Sequence, residues 1–286
     1  MKISYAGFAD EAGKTLEQQI NATKLAGWSA IELRNINGAN VCDLPPEDWK
    51  AARQKLEDER ITVAGFGSQI ANGSRSIESP LARDETELRR AIPYMKECGC
   101  NLIRIMSYPN AKEDPWPKEK WRDEVVHRLK HLAGIAGDFG ITLGHENCSG
   151  YAASGPEEFL ELISRIDHPA FKLIFDTGNN SEHSKSQDVE DTWHYYQAVK
   201  EHIVHIHIKG MKRDHDSGRM VMCFPDEDPV QKRILKDLQS NNYTGCLSIE
   251  PHMAPVFCTG DVDVSTAVYV EYAKRLEALV GSLQTS

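Results

Sequence analysis

The chain has 286 residues, of which 40% are hydrophobic and 27% are charged, a composition typical of a globular protein. No apolar stretch approaches the roughly 18 uninterrupted residues that a membrane-spanning helix needs. The formal net charge is -10. This charge argues against a nucleic-acid-binding protein, because such proteins present a basic face to the phosphates.

The seven cysteines are odd in number and show no zinc-ribbon spacing. They predict free thiols in a reducing compartment rather than a disulfide framework. The N-terminal sequence MKISYAGFAD is too short and too quickly acidic for a signal peptide. Together these features predict a cytoplasmic protein that does not associate with a membrane.

Short apolar segments alternate with longer amphipathic segments along the whole chain. Apolar runs of this length predict β-strands, and apolar residues three and four apart predict helices between them. The eight predicted strands are Ile3–Phe8, Ala30–Arg34, Thr62–Phe66, Leu102–Met106, Ile141–Glu146, Lys172–Asp176, Ile203–Lys209 and Cys246–Glu250.

Eight strand–helix units in a chain of this length predict an α/β fold, the (β/α)8 TIM barrel, as a single domain over residues 1–286. The alternative is a doubly wound open sheet, which usually has a glycine-rich turn after its first strand. Here that turn reads GFADEAGKT, which is acidic and lacks the G-x-G-x-x-G pattern. Residues 210–228 are predicted to form a long loop on the functional rim.

An acidic or histidine side chain lies at or near the end of each of the last four predicted strands: Glu146, Asp176, His207 and Glu250. Active-site groups of TIM barrels lie at the C-terminal ends of the strands. Alternation along each strand places these four on the inward face. In HIVHIHIKG, for example, two histidines and the lysine share one face, and the aliphatic residues take the other.

Three carboxylates crowded at one height would repel each other, and a divalent cation would remove that conflict. Three oxygen ligands and one imidazole suit Mn²⁺, Mg²⁺ or Co²⁺ better than a closed structural zinc site. We therefore predict one bound divalent metal ion, with Glu146, Asp176, His207 and Glu250 as its ligands. Mn²⁺ is the preferred metal, with Mg²⁺, Co²⁺ and Zn²⁺ as alternatives.

The segments LGHEN, FDTGN, HIHIKG and SIEPH follow one another on consecutive predicted strands. They resemble the Glu, Asp, His and Glu metal-ligand motifs of the xylose-isomerase-like TIM barrel family. That family contains sugar isomerases and epimerases, including ketose 3-epimerases, and inosose dehydratases. The resemblance covers nearly the whole chain. Four motifs in order are specific for the superfamily but not for its substrate.

The resemblance implies a small sugar or keto-sugar substrate that binds the metal through a carbonyl and a neighbouring hydroxyl. The metal would polarise the carbonyl and acidify the adjacent C–H. Either Glu146 or Glu250 would then remove the proton to give a metal-bound enediolate. The other carboxylate would return the proton and complete an epimerisation or isomerisation. Each acid–base step would accelerate the reaction roughly 10²–10⁴-fold.

The sequence also departs from the ketose 3-epimerases. Asn179 occupies the position of a His that follows the strand-six Asp in those enzymes, and Ala152 replaces an acidic residue. Arg213 does match a sugar-contacting arginine of that subgroup. His145 is a further candidate catalytic base. It would favour a lyase that eliminates from a 3-keto sugar or 3-keto glycoside at the same metal site, which is the alternative function.

Four further residues are candidate substrate contacts: Lys209, Arg213, His205 and Glu32. Lys209 could meet an anion or a developing oxyanion. His205 could instead be a core histidine, and Glu32 could instead pair with Arg34 in the barrel mouth.

Two other functions stay open. An endonuclease acting at abasic DNA sites is disfavoured by the acidic charge and by the lack of additional histidine ligands. A non-catalytic sugar-binding protein would bind ligand without exchanging its protons. Relatives of the family are often dimers or tetramers, so a homo-oligomer is a further expectation.

Overall fold

The computed structural model describes residues 3–153, 155–180, 189–253 and 264–284. Its main strands are β1 Ser4–Gly7, β2 Ala30–Leu33, β3 Thr62–Gly67, β4 Leu102–Ser107, β5 Thr142–Gly150, β6 Phe171–Asp176, β7 Ile203–Ile208 and β8 Cys246–Ile249. They form one parallel sheet in the order β1-β8-β7-β6-β5-β4-β3-β2. A parallel bridge between Phe8 and Glu32 joins the two ends of this sheet. The predicted (β/α)8 TIM barrel is confirmed.

The first seven helices lie between successive strands, and the eighth follows the last strand. They are α1 Leu16–Leu25, α2 Pro46–Asp58, α3 Leu81–Glu97, α4 Lys118–Asp138, α5 Pro156–Ile166, α6 Val189–Val199, α7 Pro229–Ser240 and α8 Ser265–Gln284. Local sequence signals start several of them. Thr15 and Gln18 form a capping box at α1, and the side chain of Asp228 accepts two backbone N–H groups at the start of α7. None of the described helices has the length and apolarity needed to cross a membrane.

Strand β7 shows how alternation divides the barrel into two environments. Ile206 and Ile208 are fully buried and belong to the hydrophobic core. His205 and His207 are equally buried, but their rings reach Glu32 on β2, in the barrel interior. Val204, which shares the aliphatic face, lies near the start of the strand and is 39% exposed. The polar face of this strand therefore points at the predicted site.

Irregular segments and short hairpins surround the carboxyl-terminal ends of the strands. Strand β5 continues to Gly150, past its predicted end at Glu146. Residues 210–228 contain an antiparallel hairpin, Gly210–Arg213 with Met220–Cys223, and a short turn of 3-10 helix, Pro225–Glu227. The region predicted as a long loop is therefore largely structured, which fixes where its side chains lie.

Candidate metal centre

Side chains from four consecutive strands meet at the carboxyl-terminal end of the barrel. Glu146 lies in β5, Asp176 ends β6, His207 lies in β7, and Glu250 directly follows β8. Their candidate ligand atoms all lie within 4.8 Å of one another, and all four residues are buried. The register contributes to this convergence, since Asp176 pairs with His207. The structure thus brings together the four residues that the sequence analysis selected as metal ligands.

Each carboxylate of this cluster has one buried oxygen without a hydrogen-bond partner among the described residues. These atoms are Glu146 Oε2, Asp176 Oδ2 and Glu250 Oε2. A buried polar atom without a partner costs free energy and calls for an explanation. Three such oxygens beside one imidazole form a donor set that suits a divalent cation such as Mn²⁺ or Mg²⁺. The residues present therefore fit the metal that the sequence predicts.

The pKa of Asp176 reflects the crowding of negative charge in this cluster. Burial raises it from the usual 3.8 to about 7. Lys209 opposes the rise, and the charges of Glu250 and Glu146 reinforce it. A proton therefore competes for the carboxyl of Asp176 when no cation balances the cluster. A divalent cation would displace this proton.

His207 and Glu146 stabilise each other's charged forms. His207 Nδ1 lies 3.0 Å from Glu146 Oε1 and 3.6 Å from Glu250 Oε2. Burial opposes ionisation of Glu146, but Arg104 and His207 outweigh it and lower its pKa. Arg104 Nη1 lies 3.3 Å from Glu146 Oε2. Burial likewise opposes the charge on His207, yet the carboxylates of Glu32 and Glu146 raise its pKa well above the usual value.

Glu250 is held by groups that follow β1, β2 and β8. Arg34 Nη1 lies 2.8 Å from Glu250 Oε1, and the same guanidinium contacts both carboxylate oxygens of Asp10, at 2.9 and 3.1 Å. His252 Nε2 lies 3.1 Å from Glu250 Oε1 and 3.2 Å from Glu11 Oε1. Burial acts against the charge of Glu250, but His252 and Arg34 keep its pKa well below the usual value. Glu250 is therefore ionised at neutral pH.

The loop after β6 holds Lys209 beside the cluster. Lys209 Nζ donates to Asn179 Oδ1 at 2.8 Å, and Asn179 Nδ2 donates to Glu146 Oε1 at 3.4 Å. The backbone N–H of Asn179 also donates to Asp176 Oδ1 at 2.6 Å. Gly178 leaves room for the lysine, because a Cβ there would lie 2.6 Å from Lys209 Cγ. An ammonium group is thus fixed at the edge of the candidate metal centre.

Glu32 and His205 lie within the barrel interior, where they contact each other. The Glu32 carboxylate accepts hydrogen bonds from His205 Nε2 at 2.9 Å, His207 Nε2 at 3.2 Å and Ser248 Oγ at 2.5 Å. The side chains of Glu32 and His205 are 0% and 2% exposed. Both were predicted to contact substrate. Their polar atoms point instead at this internal network, which supports His207.

Two other predicted site residues do not reach the cluster. His145 was predicted to be catalytic, but its ring packs against Phe159 and Phe171, with centroid distances of 5.7 and 6.0 Å. Adjacent residues of a strand point to opposite faces, so the inward position of Glu146 turns His145 toward the helices. Burial lowers the pKa of His145 to about 4. Arg213 is exposed, and its Nη1 donates to the carbonyl oxygen of Gly218 at 2.8 Å within the rim hairpin.

Four residues around the site were not among the predicted site residues, although Arg34 was named as an alternative partner of Glu32: Asp10, Glu11, Arg34 and Arg104. The chain nevertheless contains a signal for three of them. Asp10 and Glu11 follow β1 closely and Arg34 directly follows β2, so each stands at the end of the barrel where active sites lie. Arg104 sits inside β4 among apolar neighbours, and its contact with Glu146 depends on barrel geometry.

Comparison with known proteins supports a common origin. A family profile described as xylose isomerase-like TIM barrel matches residues 20–269. An inosose dehydratase of Clostridium botulinum is 25% identical over 268 residues, covering 84% of this chain and 83% of that protein. An inosose dehydratase of Lactiplantibacillus plantarum is also 25% identical, and the match covers 84% of this chain and 82% of that protein.

Solved structures show the same fold. A xylose isomerase-like TIM barrel protein from Mycobacterium smegmatis in complex with magnesium gives a TM-score of 0.73 at 17% identity, covering 99% of this chain and 97% of that chain. An L-ribulose 3-epimerase gives a TM-score of 0.72 at 15% identity, and the match covers 100% of this chain and 96% of that chain. With the family profile matching most of the sequence, the chain belongs to the xylose isomerase-like TIM barrel family.

Proposed function

We propose that this protein is a divalent-metal-dependent isomerase or epimerase of a small sugar or keto-sugar, working through an enediolate. The observation that carries the proposal is the set of three buried carboxylate oxygens beside His207 that have no hydrogen-bond partner among the described residues. Mn²⁺ is the preferred metal, and Mg²⁺, Co²⁺ and Zn²⁺ are alternatives. The magnesium named for one structural relative is compatible with this choice.

Glu146, Asp176, His207 and Glu250 would hold the metal, which would polarise a substrate carbonyl and acidify the neighbouring C–H. Glu146 and Glu250 are the candidate proton-transfer groups. Each has a lowered pKa, so each is ionised and able to accept a proton at neutral pH.

Lys209 is the candidate electrophilic partner in this mechanism. Its ammonium group is held by Asn179 at the edge of the cluster. A fixed cation stabilises negative charge that develops on a substrate oxygen. Glu146 would remove the proton and Glu250 would return it, or the reverse. Return to the opposite face of the same carbon gives epimerisation, and return to the next carbon gives isomerisation.

A dehydratase is the second candidate function. Two points favour it: two relatives that each cover 84% of this chain are named inosose dehydratases, and Asn179 stands where the resemblance to ketose 3-epimerases places a histidine. Elimination from a 3-keto sugar or 3-keto glycoside would share the first proton abstraction and differ only afterwards. His145, which faces the helix layer, would take no part in it.

The remaining expectations accompany this proposal. The substrate is a small molecule rather than nucleic acid or a membrane lipid, the protein acts in the cytoplasm, residues 1–286 form one domain, and the chain assembles as a homo-oligomer. The six cysteines among the described residues are free thiols, in keeping with a reducing compartment.

The test begins with metal content, measured by mass spectrometry on untagged protein and on Asp176→Ala. We expect about one divalent ion per wild-type chain, and loss of the ion in the variant. The Mn²⁺-loaded protein is then incubated with a panel of keto-sugars and inososes in D₂O. Deuterium beside the carbonyl supports proton abstraction, and a new enone absorbance identifies the dehydratase. A wild-type protein that retains no metal after incubation with Mn²⁺ would refute the proposal.

A further inference from the structure

The carboxylate of Glu32 accepts all three hydrogen bonds of a buried polar network next to the candidate metal centre. Its three hydrogen-bond donors come from β7 and β8, while Glu32 itself belongs to β2. Two donors, His205 Nε2 and Ser248 Oγ, meet at Oε2, and His207 Nε2 alone meets Oε1. Both oxygens are therefore engaged, and the orientation of the carboxylate is fixed.

The direction of the bond to His207 determines how that ring faces the metal centre. An ionised carboxylate can only accept hydrogen bonds, so Nε2 of His207 must carry the proton. In the neutral ring, Nδ1 then has the free lone pair. Nδ1 is the nitrogen that faces Glu146 and Glu250, at 3.0 and 3.6 Å. Glu32 thus selects the tautomer that can bind a metal at the predicted position.

Packing around the network restricts the orientations of the His207 ring and the Glu32 carboxylate. The His207 ring meets Phe8 edge to face at 5.0 Å and lies at 89° to the ring of His205. Gly65 pairs with Glu32 across β2 and β3, and a Cβ at Gly65 would lie 3.2 Å from Glu32 Oε1. The barrel interior therefore leaves little space for the Glu32 carboxylate to turn away from His207.

We propose that Glu32 is the positioning residue of the metal centre, which orients His207 and sets its tautomer so that Nδ1 binds the divalent cation. This inference rests on the proposed metal-dependent function. A carboxylate that accepts from the far nitrogen of a metal-bound histidine also increases the basicity of the ligand, and losing such a partner typically weakens metal binding by about 10–100-fold.

The experiment compares Mn²⁺ binding by wild type and Glu32→Gln, using isothermal titration calorimetry. Because two donors meet at Oε2, the glutamine carbonyl should occupy that position and turn its NH₂ toward His207. That NH₂ would favour the tautomer with the proton on Nδ1. We expect the Kd for Mn²⁺ to rise by about 10–100-fold. The matched control is Glu87→Gln, at a buried carboxylate paired with Arg75 away from the centre. It should lower the Tm but leave the Kd within about twofold.

A second measurement needs no variant of Glu32. The ¹⁵N spectrum of histidine-labelled, Zn²⁺-loaded wild-type protein reports the tautomer of His207, with His207→Asn identifying the signal. Protonated Nε2 and metal-bound Nδ1 are expected. Protonated Nδ1, or an unchanged Kd in Glu32→Gln, would overturn the inference while leaving the metal centre intact. Failure of the wild-type protein to bind any divalent ion would instead refute the proposed function on which the inference rests.

Discussion

Replacing Asp176 with Asn should separate the metal-free stability of the protein from its metal binding. The pKa of Asp176 is raised from 3.8 to about 7 when no metal is present. At about 1.4 kcal/mol for each tenfold change in the ionisation constant, this corresponds to roughly 4 kcal/mol of unfavourable free energy for the ionised group. Asn has no charge to ionise, and its carbonyl can still accept from the backbone N–H groups of Gly178 and Asn179.

The sign of the pH dependence follows from linkage. A carboxyl whose folded-state pKa lies above its unfolded value contributes most to stability below the unfolded pKa, and that contribution is lost as the pH rises through the folded pKa. Metal-free wild type should therefore lose stability relative to Asp176→Asn between about pH 4 and pH 7. The difference should reach its full value, roughly 4 kcal/mol, near pH 8.

The assay is thermal unfolding of EDTA-treated protein from pH 5 to pH 8, with and without added Mn²⁺. For chains of this size, 1 kcal/mol corresponds to roughly 2–4 °C in Tm. Metal-free Asp176→Asn should therefore melt several degrees above metal-free wild type at pH 8. Mn²⁺ should raise the Tm of the wild type but not that of the variant.

Asp228→Asn provides the matched control. Asp228 is also buried and also has a raised pKa, of about 6. Its carboxylate accepts from backbone N–H groups at the start of α7 and from Met211 N. The substitution removes another buried carboxyl with a raised pKa but leaves the metal centre untouched, so it should preserve the response to Mn²⁺. If Asp176→Asn is less stable than wild type at pH 8 without metal, or responds equally to Mn²⁺, the reasoning fails.

Three further predictions test other parts of the structure. The affinity for Mn²⁺ should decrease as the pH falls, because the metal must displace a proton from Asp176 and another from Nδ1 of His207, and both groups have raised pKa values. Titrations in buffers of different ionisation enthalpy count the released protons, and a constant affinity from pH 6 to 8 would contradict this. His145→Phe should retain Mn²⁺ binding and should lose about 2 kcal/mol less stability than wild type when the pH falls from 7 to 5. The reason is that the pKa of His145 is lowered to about 4 in the folded protein, so the wild type becomes less stable as the pH falls below 6.5. Urea unfolding at pH 7 and pH 5 measures this difference, and equal losses would argue against the buried position of the ring. Gly150→Ala should destabilise the fold by more than about 2 kcal/mol, because Gly150 has φ +92° and the new Cβ would lie 2.4 Å from the carbonyl carbon of Ser107. The control is Gly134→Ala, at a position in α4 with open space around it. The free energy of unfolding of this control, measured in urea, should be unchanged or higher.

Local patterns in the sequence were sufficient to predict the barrel and the convergence of the candidate ligands. Alternation is a property of a single strand, so HIVHIHIKG alone shows that His207 points away from the aliphatic face. The same rule places His145 opposite Glu146, and the catalytic role predicted for His145 required the strand end to twist its ring inward. Chain order then places Glu146, Asp176, His207 and Glu250 at one end of the barrel, since the strands are parallel.

Contacts across the barrel were decided only by the tertiary structure. Glu32 reaches His205 and His207, which are far away in sequence, because β1 and β2 meet at the closure of the sheet. Strand periodicity describes only residues that are close in sequence, so it cannot predict this contact. The rim hairpin similarly keeps Arg213 with Gly218 rather than with the cluster. Sequence periodicity thus determined which face each candidate ligand occupies, while barrel closure and loop packing determined which side chains touch across it.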